Sequence, residues 1–452
     1  MVAIVLVVFL IGYLAIVLEH PLKLDKTVPA LAMGALCWAM VAAGFNQGWL
    51  EVIDTYGSVY GLGGIKDDAA LDEQLHGFSD VLMHHLGKTA EILIFLIGAM
   101  TIVEIIDLHC GFDIIKSWIT TRSKRKLLWI TGVLAFVLSA IIDNLTATIV
   151  LVTLLNKLVP LRKERLWFIG LAVVAANAGG AWSPIGDVTT TMLWIAQKVT
   201  MDGLITNLHL PSLDCFLVPY LLVQFKSVFK GDIVAVQHDS QGGGRILSSR
   251  TMLFLGLGMI VFVPIFKTLT HLPPYIGMML SLSVVWLVSE YIHPEENFDE
   301  ERRHLYSAHT ALSRIEFSSI LFFLGILMAV AAIETVVVNG EGALKYAAMQ
   351  LDNAIPNQNV VILLLGVGSA IIDNVPLVAA SMGMYEMAID DKLWHFIAYS
   401  AGTGGSMLII GSAAGVAAMG MERIDFIWYL KNIAWLAAVG FLAGACVFLL
   451  MT

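Results

Sequence analysis

SAIIDN at residues 139–144 and SAIIDN again at residues 369–374 decide how this chain is read. Each copy lies inside an apolar run, LLWITGVLAFVLSAIIDNLTATIVLVTLL around the first and VVILLLGVGSAIIDNVPLVAAS around the second. An aspartate and an asparagine are therefore carried to membrane depth twice. An ionisable side chain there costs several kcal/mol, about 3 on insertion scales, and by default marks a functional site.

The surrounding composition is that of a membrane protein. Of 452 residues, 58% are hydrophobic and 14% charged, and mean hydropathy is +0.81. Apolar runs near 20 residues recur along the chain, which predicts an all-α polytopic membrane protein. Much of the acid behind the net charge of -10 lies in two polar segments, 51–80 and 290–316, read as loops, so the charge is no nucleic-acid signal. Cys37, Cys110, Cys215 and Cys446 lie far apart in apolar contexts, with no CxxC or Cys/His spacing. They read as small packed hydrophobes, with no disulfide, resident metal or cofactor implied. The first 18 residues end at Glu19-His20 without a basic start or a small-residue cleavage site, and read as a span, not as a removed signal peptide.

Working outward, spans are predicted at about 2–18, 27–44 and 89–107, with an acidic loop over 45–88. The first SAIIDN segment, about 127–156, is flanked on both sides by basic clusters, Arg122 to Lys126 and Lys157 to Arg165. Both ends then belong on the cytoplasmic side, and the segment enters and returns as a re-entrant hairpin with Asp143 and Asn144 at its tip. The stretch 166–197 is interrupted by NAGGAWSPIGDVTTT at 177–191, whose glycines and proline predict a helix broken within the bilayer. A span at about 212–229 and a polar cytoplasmic linker over 230–250, with GGGR at 242–245, close the first half, 1–229.

The second half, 251–452, repeats the order: spans at about 251–270, 275–292 and 317–336, a hairpin at about 359–383, a broken helix at about 393–421 and a last span at 427–450. Asp143 and Asp373 are 230 positions apart, as are Glu104 and Glu334, while Gly179-Gly180 and Gly404-Gly405 are 225 apart. An odd number of crossings per half inserts the second repeat upside down relative to the first. With the amino terminus outside, 20 of the 26 Lys and Arg fall on the inner side, as the positive-inside tendency requires. Two inverted repeats, each with a re-entrant hairpin and a broken transmembrane helix, are transporter architecture.

Hairpin tips and helix breaks gather Asp143, Asn144, Thr146, Asn177, Ser183, Asp187, Thr189, Thr190, Ser369, Asp373, Asn374, Thr403 and Ser406. All offer oxygen. Carboxylate, amide and hydroxyl oxygens suit a hard cation such as Na+ or Li+, placed chiefly on Asp143, Asn144, Asp187, Asp373 and Asn374, and the lack of Cys and His argues against zinc or copper. A proton competes for the same carboxylates, and that mutual exclusion is the simplest route to antiport. The blander reading makes Asp143, Asp373 and Asp187 helix N-caps and lets Thr189 and Thr190 bond back to their own helix. Capping is compatible with ion binding, and a serine would cap without the membrane cost. Glu104 and Glu334 sit near span ends and read as snorkelling, whereas Glu91 lies at an interface where protons could enter.

The two Asp-Asn pairs, NAGGAWSPIGDVTTTMLW at 177–194 and AGTGGSMLIIGSAAG at 401–415 resemble the NhaD-type sodium/proton antiporters of the ion transporter superfamily. The resemblance runs from about Lys88 to the end and leaves the acidic loop and the GGG linker unmatched. It implies exchange of cytoplasmic Na+ or Li+ for external protons, inverted repeats, a homodimer and a place in a bacterial inner membrane. Its ion-pathway residues carry over to Asp143, Asn144, Asn177, Asp187, Thr189, Thr190, Ser369, Asp373 and Asn374, and further to Glu91, Ser406 and Ser412.

Three other readings compete, one of them a pure channel, which paired carboxylates that must be neutralised fit less well than coupled exchange. Carriers of dicarboxylate, citrate or arsenite in the same superfamily tend to offer neutral hairpin tips to an anion, whereas aspartates would repel one unless sodium bound first. An intramembrane aspartyl protease would use the aspartates as an acid/base dyad, but no GxGD motif is present, and the duplication extends through helix breaks that a protease does not need. Within the first half Asp143 has Asp187 and the threonine pair beside it, while the second half offers hydroxyls. Asp143 with Asp187 are therefore expected to carry the cation and proton, with Asp373 the weaker partner.

Overall fold

In a bilayer every backbone N–H and C=O must be satisfied within the protein, and a helix does this segment by segment. The computed structural model describes residues 1–63, 68–117, 119, 121–233, 247–293, 306–371 and 373–452. In chain order its main helices are α1 (Val2–Val17), α2 (Thr27–Asn46), α3 (Asp68–Leu108), α4 (Lys124–Ile142), α5 (Asn144–Leu158), α6 (Arg162–Gly180), α7 (Val188–Ile195), α8 (Met201–Val223), α9 (Ser249–Thr270), α10 (Pro274–Tyr291), α11 (Phe317–Thr335), α12 (Gln358–Ser369), α13 (Asn374–Met384), α14 (Lys392–Gly404), α15 (Ala413–Glu422) and α16 (Trp435–Met451). Among the described residues, paired strands form only two short antiparallel hairpins, Val52–Ile53 with Val59–Tyr60 and Val337–Val338 with Glu341–Gly342. Six helices among the described residues are long and apolar enough to cross a membrane. The fold is all-α and polytopic.

Two boundaries differ from those expected. The segment read as a loop over 45–88 is helical from Asp68 onward, and α3 runs unbroken from its acidic first turn into the apolar stretch. Leu, Glu, Gln and Ala are good helix formers, so charge alone does not end a helix. The span expected at 212–229 is α8, which starts at Met201 because Thr200 caps it, its hydroxyl oxygen accepting from the Gly203 N–H. The GGGR of the expected linker lies outside the described residues.

The chain divides into two compact units. The first comprises Met1–Ile94, Glu316–Val361 and Val375–Ala388. Its core forms where α2 packs on α11. A Cβ on Gly34 would lie 2.7 Å from the Gly325 carbonyl oxygen, so the two backbones are in contact. The second unit comprises Phe95–Ile315, Ile362–Asn374 and Ile389–Thr452. Within it α4 and α5 form a helical hairpin separated by one residue, Asp143, and both pack on α6. The helix then stops at Gly180 and restarts at Val188. The order recurs in the second half: α12 ends at Ser369, Asn374 begins α13, and the α14 helix stops at Gly404 to restart at Ala413.

Candidate ion-binding site

Both helix breaks are built by backbone pressed on backbone. A Cβ on Gly179 would run into the Phe136 carbonyl of the hairpin, and a Cβ on Gly404 would run into that of Gly366. Glycine is required at both places because nothing larger fits. The serine that opens each SAIIDN fastens the same contact: Ser139 Oγ donates to the Ala176 carbonyl at 2.6 Å, and Ser369 Oγ to the Ala401 carbonyl at 2.8 Å.

Past each break the helix restarts on a capping side chain. Asp187 has extended backbone (φ -150, ψ 147), and its Oδ1 accepts from the Thr189 N–H and the Thr189 hydroxyl, each at 2.8 Å. At the matching place, 225 positions on, Ser412 (φ -145, ψ 151) accepts from the Gly415 N–H at 3.2 Å. Asp143 caps α5, its Oδ1 accepting from the Thr146 N–H at 2.8 Å and its Oδ2 from the Thr146 hydroxyl at 2.9 Å. Its φ of 90 with ψ of 159 is a conformation left almost wholly to glycine. Holding a non-glycine residue there costs on the order of 1–3 kcal/mol and is typical of functional positions.

One buried network joins these ends. Asn144 Nδ2 donates to Asp187 Oδ2 and, at 3.0 Å, to Asn177 Oδ1. Asn177 Nδ2 donates to Ser412 Oγ at 2.9 Å. From the second SAIIDN, Asn374 Nδ2 lies 3.3 Å from both Asp187 oxygens. Asn144, Asn177, Asp187, Thr189, Asn374 and Ser412 are each at most 5% exposed. The Asp187 carboxylate is thus held by neutral donors from both halves of the sequence. Among the described residues no lysine, arginine or histidine pairs with it. Helices α5, α7, α13 and α15 all begin within or next to this network, and helix starts carry partial positive charge that favours an anion.

The hydroxyls of four other candidates are taken up by backbone. Thr190 donates to the Asp187 carbonyl, Ser183 to that of Ala140, Thr403 to that of Tyr399 and Ser406 to that of Thr403, so each of these hydroxyls is engaged with backbone. Asp373 precedes Asn374 as Asp143 precedes Asn144. Glu91 lies on α3 in the first unit, whereas the network lies wholly within the second. Among the described residues, no three of His, Cys, Asp and Glu gather as a metal-binding set. Sequence reasoning passed over Ser139, although it occupies the first SAIIDN as Ser369 does the second. It also passed over Glu422, a lone acid closing the apolar run of α15.

The family model described as citrate transporter matches residues 4–394. The chain is 42% identical over 450 residues to a protein named sodium/proton antiporter 1 from Arabidopsis thaliana, covering 98% of this chain and 71% of that one. It is 31% identical over 474 residues to the Na(+)/H(+) antiporter NhaD of Alkalimonas amylolytica, covering 98% of this chain and 89% of the relative. The solved structure of the Alcanivorax borkumensis YdaH transporter shares the fold, with a TM-score of 0.58 at 12% identity over 94% of this chain and 97% of that one. With the family model spanning most of its length, and relatives above 30% identity covered over more than two thirds of theirs, the chain belongs to the citrate transporter family and is a transporter, not an enzyme.

Proposed function

We propose that the chain exchanges Na+, or Li+, for H+ across its membrane by alternating access, and that Asp187 is the group that holds either ion. One observation carries this reading: a fully buried carboxylate gripped by neutral donors of both halves, with no basic partner among the described residues. A carboxylate in that setting needs a cation or a proton to balance it, and it cannot hold both. Asn144 and Asn374 now turn N–H towards Asp187. A half-turn of either carboxamide replaces N–H by C=O at the same place, which exchanges a donor to the bare carboxylate for a ligand to a hard cation. Asp143, strained at the hairpin tip, and Asp373, its counterpart, serve as flanking carboxylates, with Asn177, Thr189, Thr190 and Ser369 shaping the site around them. Glu91, Ser183, Thr403, Ser406 and Ser412 support the pathway or its walls.

The family description favours a second reading, transport of citrate. Helix starts such as those of α5 and α7 would suit an anion's carboxylates. Here Asp143 and Asp187 already occupy them, and no basic side chain stands in the network to offset a multiply charged anion. The relatives named sodium/proton antiporters weigh the same way.

The halves 1–229 and 251–452 are read as inverted repeats, supported by the constant offset between the two breaks and by the placement of basic residues. The amino terminus is assigned to the outside and the protein to a homodimer. The bacterial inner membrane remains the proposed host, although the relatives come from a plant as well as from bacteria. The test is dequenching of a pH-sensitive dye in reconstituted vesicles on addition of NaCl, LiCl or sodium citrate at constant sodium. Expected are equal responses to NaCl and to citrate at the same Na+, a response to LiCl, and none from Asp187→Asn. A response that requires citrate defeats the reading.

A further inference from the structure

The network occupies one end of α6 and one end of α15, and the far ends of the same two helices are also tied. Arg165, in the first turn of α6, donates through Nε and Nη2 to Glu422 Oε2, on the last residue of α15, at 3.1 and 3.0 Å. Its Nη1 donates to the Val159 and Pro160 carbonyls, where α5 has ended, at 3.0 and 3.3 Å. Arg162 Nη2 donates to the Glu422 and Arg423 carbonyls, each at 3.0 Å. These carbonyls lie where α15 stops, on Arg423 in the left-handed conformation (φ 50), and the last carbonyls of a helix lack partners within it. The Arg165 and Glu422 side chains are only 15% and 5% exposed.

Helices α6 and α15 pack on each other. Asn177–Ser412 joins them at the site, and Arg165–Glu422 joins them at the other end, so they run antiparallel. At 1.5 Å per residue the two attachments are roughly 18 Å apart along α6 and roughly 15 Å along α15. A second strut has the same design. Helices α7 and α14 pack together. Just before α14, the Asp390 carboxylate accepts from the Thr200 N–H and hydroxyl, each at 2.7 Å, and its own N–H donates to the Lys198 carbonyl at 3.0 Å, just after α7. Arg165 and Asp390 are 225 positions apart, the offset of the two helix breaks. Each half-helix beyond a break is thereby strapped to the helix that precedes the break in the other half.

We propose that Arg165 and Glu422 are positioning residues that keep the end of α5, the start of α6 and the end of α15 in one body, so that Asn177 and Ser412 stay in register with Asp187 throughout transport. The inference uses the ion-exchange reading for its readout. Six hydrogen bonds from two arginines, four to one helix end and two to its neighbour, make a joint that stays closed, not a gate that opens each cycle. Removing one partner of the buried Arg165–Glu422 pair would leave the other charge uncompensated, while the exposed Arg162 ties the same helix end from the rim.

The test uses the full chain with Cys37, Cys110, Cys215 and Cys446 replaced by alanine. Arg165→Cys with Glu422→Cys is reconstituted and bridged by a short bis-maleimide. Bridging is expected to proceed and to leave the maximal exchange rate within about twofold. If exchange stops on bridging, the joint is a gate and the proposal fails; if no bridge forms, the adjacency itself is wrong. Separately, Arg165→Gln and Glu422→Gln are each expected to raise the KM for Na+ about fivefold with the maximal rate nearly kept, and the double variant no further than either single one, as coupled neighbours do. Unchanged KM in all three overturns the positioning role. A wild type that exchanges neither ion defeats the functional reading alone. Bridging yield and the non-additivity of thermal midpoints in the same variants then decide the joint.

Discussion

The break after α6 and the break after α14 are one backbone design with two chemistries. Each is entered through a glycine pair whose first member is pressed against a hairpin carbonyl, each is fastened by the serine of SAIIDN, and each restarts on an extended capping residue. That residue is Asp187 in one case and Ser412 in the other. The next positions differ as well, Thr189 and Thr190 against Ala414 and Gly415. Breaking a helix inside a protein is a steric problem, and its solution was duplicated intact. Placing charge there is an electrostatic problem, and one more carboxylate at the second restart, added to Asp187 and the flanking Asp143 and Asp373, would need further positive charge to balance it. The second half therefore keeps the cap and gives up the charge, while it lends Asn374 to the carboxylate of the first.

The sharpest way to break this contrast is to neutralise each cap. Asp187→Asn is expected to lower Na+-driven proton exchange by at least about 100-fold, since a charge that is balanced only by the transported ion has no substitute. Ser412→Ala removes a neutral acceptor of two hydrogen bonds, from Asn177 and from the Gly415 N–H, each worth about 1 kcal/mol, and should raise the KM for Na+ about threefold to fivefold with the maximal rate nearly unchanged. Equal losses in the two variants, read by dye dequenching in vesicles, would erase the asymmetry.

A smaller effect separates charge from backbone at the first hairpin. Asp143→Gly removes the carboxylate but suits the φ of 90, and glycine is a tolerable cap. Its thermal midpoint should equal or exceed that of wild type, while Asp143→Ala, which keeps the strain and loses the cap, should melt lower. Both should exchange about tenfold more slowly than wild type. Wild-type exchange in Asp143→Gly would reduce Asp143 to a cap. Asp373→Asn should cost less than either change at Asp143.

Much of this was legible in the sequence because duplication repeats its own signals. The two SAIIDN copies, 230 positions apart, and the glycine pairs, 225 apart, fall where α4, α6, α12 and α14 end. The aspartate at 187 was also readable, since SPIGD followed by threonines is a helix restart as well as a charge at membrane depth. The roles of the hydroxyls were not. Thr403, Ser406 and Ser183 bond to backbone carbonyls because a hydroxyl near a break takes the nearest free acceptor, and which acceptor that is depends on packing. The Arg165–Glu422 joint was invisible for a related reason: its partners are 257 positions apart, and no local pattern encodes such a pair. The helical start of α3 is hidden because an acidic stretch reads as a loop, although its Leu, Glu, Gln and Ala favour helix.

The smallest effect expected tests whether the threonine pair acts by chemistry or by shape. Thr189 Oγ1 donates to the Asp187 carboxylate, and Thr190 Oγ1 donates to the Asp187 carbonyl. Valine has nearly the shape of threonine without the donor. Thr189→Val removes a hydrogen bond to the group that holds the ion, and such bonds to charged groups are worth about 1.5–3 kcal/mol. Part of that is common to the cation-bound and proton-bound states and cancels in the cycle. The KM for Na+ should therefore rise only about threefold. Thr190→Val removes a bond from a carbonyl that already accepts from the Thr191 N–H at 3.0 Å, and should change the KM by less than about twofold. If the two variants shift the KM equally, the threonines act together as packing around Asp187, and the chemical difference between the two breaks narrows to the single carboxylate.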